Sequence, residues 1–138
     1  EDHTELLDHE MGKLRMGSFE LNLQGSGHFG KSEPHAIWAG VSPSTALERL
    51  HQHCRHAARR AEIQMEARKY TPHVTMAYMK PRSPLDRIIS FEQRLADWST
   101  RPFLVDQFSL ISSHPKKRGP NLYREEATFP LLGEGVTP

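Results

Sequence analysis

The sequence predicts an α+β fold with mostly antiparallel sheets. Three observations carry that expectation. Helix-patterned and strand-patterned stretches follow in the order helix, two strands, helix, strand, helix, two strands, without the steady strand–helix alternation of a parallel sheet. The strands tend to alternate apolar with polar residues, as antiparallel strands with one covered face do. The helices can therefore cover the apolar backs of the sheets and leave polar sheet faces open for a cleft. At 138 residues the chain has the length of one domain.

In chain order, residues 2–16 read as a helix, with Leu6, Leu7, Met11 and Leu14 near 3.6-residue spacing and Gly17 as the stop. Phe19, Leu21 and Leu23 alternate with Glu20, Asn22 and Gln24, a half-buried strand. Gly25 to Pro34 reads as a glycine-rich hairpin turn, and Ala36 to Val41 as a more buried strand. Ser42-Pro43 opens a helix over about 43–64, whose Leu47, Leu50, Cys54, Ala57 and Ala61 share one face. A strand at 72–80 follows, then a helix near 84–97 with Ile88, Phe91 and Leu95. Strand 103–112 alternates around Leu104, Asp106, Phe108 and Leu110; a basic loop at 115–121 leads to a last strand around Tyr123–Leu131, and Gly133–Pro138 reads as a loose tail.

Charge is balanced, with 18 Lys and Arg against 17 Asp and Glu, so no strong field advertises a nucleic-acid partner. No apolar run is long enough for a membrane-spanning helix, and no signal-peptide pattern opens the chain. The single cysteine, Cys54, forms no internal disulfide and fits a reducing cytoplasm.

Pro72-His73-Val74-Thr75-Met76-Ala77-Tyr78 carries the most chemistry. On a regular strand Thr71, His73, Thr75 and Ala77 share one side, while Val74, Met76 and Tyr78 share the other and read as core. An imidazole beside a hydroxyl, on a face without bulky apolar residues, suits a phosphate: a proton shuttle next to a neutral hydrogen-bond donor.

The run Ile37-Trp38-Ala39-Gly40-Val41, then Pro43-Ser44-Thr45-Ala46-Leu47, then Glu66 to Ala77 with Arg68, Tyr70, Pro72, His73 and Thr75 spaced as Arg-x-aromatic-x-Pro-His-x-Thr, and finally Ser112-Ser113 and Tyr123, resembles one family from about Leu6 to Leu131. That family is the bacterial and archaeal RNA 2′,3′-cyclic phosphodiesterases, also called 2′-5′ RNA ligases, of the two-histidine phosphoesterase superfamily. The resemblance implies a two-lobed architecture with a central cleft, so residues 1–138 are expected to form a single two-lobed domain. It also implies two His-x-Thr motifs, and this sequence holds one. His3-Thr4-Glu5 has the wrong spacing, and His28-Phe29-Gly30, His35-Ala36-Ile37 and His51-Gln52-His53 lack the threonine. The expectation is that a strand–helix–strand bearing the first motif is missing ahead of these residues.

The implied activity is hydrolysis of a terminal 2′,3′-cyclic phosphate to a 2′-phosphate, with 2′-5′ joining of RNA as the reverse reaction. His73 is expected as general base, or acid in reverse, Thr75 as phosphate ligand, and the first-motif histidine as general acid. Arg68, Tyr70, Tyr78, Lys80, Ser112 and Tyr123 are the candidate substrate contacts. Tyr78 stands where the family often has an arginine, so Arg68, Lys80 or Arg124 would supply the positive charge; Tyr70 could stack on a base. Lys116, Lys117 and Arg118 could meet backbone phosphates. No metal and no cofactor is required by this chemistry. The expected partners are RNA ends with 2′,3′-cyclic phosphate or nucleotides with a 2′-phosphate, and no membrane. A monomer is expected, with a swapped or paired assembly as the alternative.

Two other readings compete. The same fold could bind RNA ends or nucleotides without turnover. Gly25-Ser26-Gly27-His28-Phe29-Gly30-Lys31-Ser32 also fits a phosphate-loop pattern, with Phe103-Leu104-Val105-Asp106 imitating its metal-binding partner. Pro34 and the strand-like Ala36–Val41 argue instead for a hairpin turn, because a phosphate loop must run into a helix. His51, His53 and His56 beside Cys54 read better as a solvated helix face than as zinc ligands.

Overall fold

The first helix, α1 (Asp2–Gly12), stops earlier than the apolar spacing predicts. The Lys13 and Leu14 N–H groups reach back only three residues, to the Glu10 and Met11 carbonyls, which tightens the last turn and ends it at Gly12. The structure, a computed structural model, describes residues 2–132, the side chain of Asp2 excepted. After α1 come β1 (Phe19–Leu21), β2 (Leu23–Phe29), β3 (Ala36–Val41), α2 (Thr45–Arg60), β4 (His73–Tyr78), α3 (Leu85–Arg94), β5 (Phe103–Val105), β6 (Gln107–His114) and β7 (Leu122–Pro130). This is an α+β fold with antiparallel sheets. The expected tail at 133–138 lies outside the described residues.

The chain forms two compact units. One takes the described parts of Glu1–Phe19, Ser44–Arg68 and Leu104–Pro138. Its core is Met11 of α1, Ala57 of α2 and Phe129 of β7, with Leu7, Cys54, Phe108, Leu110 and Ala127 packed around them. Glu10 binds Lys13 at 2.9 Å and Arg60 of α2 at 2.6 Å, tying α1 to α2, and these cations hold its carboxyl below the usual range. The cap of α2 is Ser44, not Ser42-Pro43, because the Leu47 N–H donates to Ser44 Oγ at 3.1 Å. The strand expected over 103–112 is broken at Asp106, whose carbonyl accepts the Leu131 N–H.

β6 and β7 pair antiparallel, with a register shift between Leu110 and Ile111 that leaves Glu126 as the extra residue. Phe108, Leu110, Ala127 and Phe129 form the side packed on the helices, and Ser109, Ile111, Ser113, Tyr123, Glu125 and Thr128 form the other.

The second unit takes Glu20–Pro43 and Lys69–Phe103. Its sheet has the order β2-β3-β4, antiparallel throughout. β2 runs through most of the segment expected to be turn, and the hairpin closes over residues 30–34, with Gly30 and Lys31 at positive φ. The Gly-Lys-Ser of the phosphate-loop pattern therefore leads into β3, not into a helix. α3 covers the side that carries His28, Ile37 and Ala39, with Ile88 buried in it. His28 links β2 to α3: Nδ1 lies 2.6 Å from Glu92 Oε2 and Nε2 lies 2.9 Å from the Lys31 carbonyl. Both partners are acceptors, so the doubly protonated ring satisfies both. The Glu92 carboxylate above all, and then the Lys31 carbonyl, raises the His28 pKa.

Candidate active site on the edge strand

β4 is an edge strand, paired only with β3 in its sheet, and all six of its residues are exposed. The core role expected for Val74, Met76 and Tyr78 is thus corrected: they are 48%, 45% and 49% exposed. The ten-residue α3 packs on β2 and leaves the outer strand uncovered.

The pairing corrects the faces as well. Trp38 lies opposite Thr75, but Ile37 lies opposite Ala77, so Met76 is an extra residue in β4. Alternation restarts after this bulge. Tyr78, opposite Ala36, comes to the side of His73 and Thr75, and Ala77 goes to the other side with Val74. The open face of the sheet thus presents Phe29 from β2, Trp38 from β3, and His73, Thr75 and Tyr78 from β4.

His73 is oriented by two contacts. Its Nδ1 donates to the Thr71 carbonyl at 2.6 Å, and because a carbonyl only accepts, Nδ1 carries a proton and, in the neutral ring, the lone pair lies on Nε2. The Phe29 ring meets the imidazole edge-to-face, with centroids 4.8 Å apart and planes at 85°. Trp38 closes the group at 6.0 Å from His73 and 5.6 Å from Phe29. Gly27 makes room for the indole, since a Cβ there would lie 2.4 Å from it, while Gly40, opposite His73, lets the Gln24 backbone approach, a Cβ there falling 2.6 Å from the Gln24 carbonyl oxygen. Trp38 Nε1 is buried without a hydrogen-bond partner among the described residues, so packing alone holds the indole.

The other candidates are distributed as follows. Arg68 pairs with Glu66 at 2.8 Å, with both side chains largely in water, where such a pair has little worth. Tyr70 and Lys80 are exposed, and the Lys80 carbonyl accepts both the N–H and the hydroxyl of Ser83. Ser112 and Tyr123 lie on opposite faces of the β6–β7 sheet; Ser112 Oγ donates to Glu126 at 2.6 Å and stands 2.8 Å from His114 Nε2, and Tyr123 is 55% exposed. Cys54 packs against the core around Ala57, and burial pushes its thiol pKa up. Among the described residues no group of three His, Cys, Asp or Glu side chains is placed to share a metal ion.

Sequence reasoning missed the roles of Phe29, Trp38, Gly27 and Gly40. A signal existed: Ala36-x-Trp38-x-Gly40 places small, large and small residues on one side of a strand that runs beside the motif.

The sequence model of the 2′-5′ RNA ligase superfamily matches residues 1–117, well over half of the chain. The chain belongs to the 2′-5′ RNA ligase superfamily. Solved structures agree with that membership at the level of the fold. E. coli LigT complexed with 3′-AMP is 22% identical, with a TM-score of 0.64 over 94% of this chain and 69% of LigT. A structure described as a phosphoesterase is 22% identical, with a TM-score of 0.65 over 95% of this chain and 70% of its own. The protein TT0787 of Thermus thermophilus is 20% identical, with a TM-score of 0.64 over 96% of this chain and 70% of its own. No curated protein matches. This superfamily member carries an oriented His-x-Thr strand on an open sheet face.

Proposed function

We propose that this 2′-5′ RNA ligase superfamily member is an RNA 2′,3′-cyclic phosphodiesterase that opens a terminal cyclic phosphate to a 2′-phosphate by acid–base catalysis with two histidines. The observation that carries the reading is the His73 ring, with Nδ1 held by the Thr71 carbonyl and the Nε2 lone pair on an open sheet face that also bears Thr75.

His73 Nε2 takes a proton from the attacking water as its oxygen bonds to phosphorus. Thr75 donates its hydroxyl hydrogen to a non-bridging oxygen, a bond to a charged acceptor of about 1.5–3 kcal/mol. The P–O3′ bond breaks, and O3′ takes a proton from a second group. This reading assigns that acid to the histidine of a first His-x-Thr motif outside the 138 residues. With the 5′-hydroxyl of a second RNA in place of water, the same groups form a 2′-5′ phosphodiester: the 5′ oxygen gives its proton to His73 Nε2 and bonds to phosphorus, and O3′ again leaves with the proton of the acid. The nucleotide character of the ligand is supported by the fold relative LigT, solved with 3′-AMP, ATP, NADP+ and phosphate.

The test is hydrolysis of 2′,3′-cyclic AMP by the full-length protein, with the product identified by phosphorus NMR. His73→Ala lowers the rate by at least about 100-fold, the lower end of what one proton transfer contributes. An unchanged rate removes His73 from the chemistry. A second reading, RNA-end or nucleotide binding without turnover, is favoured by the lone His-x-Thr in the sequence. It predicts that the cyclic phosphate is bound and released intact.

A further inference from the structure

The same unit that carries His73 holds a cavity of about 430 Å³ at the closed end of the β2–β3 hairpin, lined by Ser32, Glu33, Pro34, His35, Met79, Pro81, Arg82 and Ser83. Its size is that of a small-molecule site. The turns on its two sides each hold a non-glycine residue at positive φ, Lys31 at 45° and Arg82 at 65°.

The lining narrows the ligand class. Pro34, Met79 and Pro81 give an apolar lining, while Glu33 offers an acceptor and Arg82, Ser32 and His35 offer donors. A bare phosphate would meet the Glu33 carboxylate, and a purely apolar ligand would strand Glu33 and Arg82. A nucleoside unit satisfies both sets, with a π-face for the apolar lining and Arg82, and a donor-and-acceptor edge for the polar groups. The cavity is also joined to the candidate active site by ring contacts within the unit. Phe29 meets His73 edge-to-face at 4.8 Å and stacks on His35, a lining residue, at 6.3 Å. From His73, the cavity is one aromatic ring away, within reach of the next nucleotide of an extended single strand.

We propose that this cavity takes the nucleotide on the 5′ side of the one whose phosphate sits at His73, so that the site selects RNA ends over mononucleotides. The proposal rests on the assignment of His73 as the phosphate-handling histidine.

The test titrates the isotope-labelled full-length protein with adenosine 2′-monophosphate and with the trinucleotide ApApA carrying a terminal 2′-phosphate, followed by NMR. Both ligands shift His73 and Thr75. The trinucleotide alone shifts His35, Met79 and Arg82, and binds about tenfold more tightly, the gain that one stacked base or charge-assisted contact supplies. Arg82→Gly, which suits the positive φ and removes the whole side chain with its guanidinium, abolishes that surplus and leaves mononucleotide affinity unchanged. Equal affinity for the two ligands, trinucleotide shifts that spare the cavity, or a surplus that survives Arg82→Gly overturns the proposal and leaves the phosphodiesterase reading standing. A mononucleotide that leaves His73 unshifted overturns both.

Discussion

The chemistry of His73 depends on which of its nitrogens is free, and the backbone two residues earlier decides that. The Thr71 carbonyl accepts the Nδ1–H hydrogen bond, and Phe29 packs edge-to-face against the ring. Phe29 and Trp38 can converge there because Gly27, opposite Trp38, leaves the indole its space. Gly27→Ala tests this packing. The new Cβ would fall 2.4 Å from the indole carbons, so Trp38 must shift. The expected cost is about 1–3 kcal/mol, as for other overpacked sites, read as a lower urea midpoint with altered tryptophan emission. An unchanged midpoint and emission would show that the indole does not need the glycine.

At the scale of elements, the attachment of α3 to the sheet contains a titrating contact. His28 holds the Glu92 carboxylate and the Lys31 carbonyl at once only when both of its nitrogens carry protons, and its pKa is raised accordingly. The folded state therefore binds this proton more tightly than the unfolded chain does. The stabilisation is fully present below the unfolded value of 6.5 and is lost as pH rises through the higher folded value. Unfolding free energy is expected to fall as pH rises above about 6.5 and through the raised folded value, and His28→Asn should flatten that slope. Denaturant curves across this range check it, and a slope that persists in the variant would place the titration elsewhere. The same element explains the glycine-rich segment that imitates a phosphate loop. Gly25, at φ 68°, sits in the β2 register shift, Gly27 yields to Trp38, and Gly30, at φ 104°, opens the turn. Each glycine has a duty in a hairpin, and none is left to cradle phosphate.

For the molecule as a whole, the two units are woven from five chain segments, so neither is a continuous stretch of sequence. His73 and its ring neighbours all belong to the unit built from Glu20–Pro43 and Lys69–Phe103. That unit supplies one proton-transfer imidazole of the proposed pair. The 138-residue chain by itself is therefore expected to hydrolyse 2′,3′-cyclic AMP at least about 100-fold more slowly than a form extended by a segment with a second His-x-Thr. Steady-state rates of the two forms check this, and equal rates would mean that a single histidine suffices.

The sequence by itself determined the α+β class, the three helices, the identity of β3 and β4, and the 2′-5′ RNA ligase superfamily, because periods of 2 and 3.6 residues and a contiguous His-x-Thr motif are local properties. Tertiary structure alone decided which side of the sheet each residue serves. Tyr78 changes side because Met76 is an extra residue against β3, and Glu126 interrupts β7 against β6 in the same way. A bulge exists only relative to a partner strand, so no pattern within β4 announces it. The same holds for the aromatic neighbours of His73: Phe29 and Trp38 lie far from it in sequence and meet it only when three strands pair.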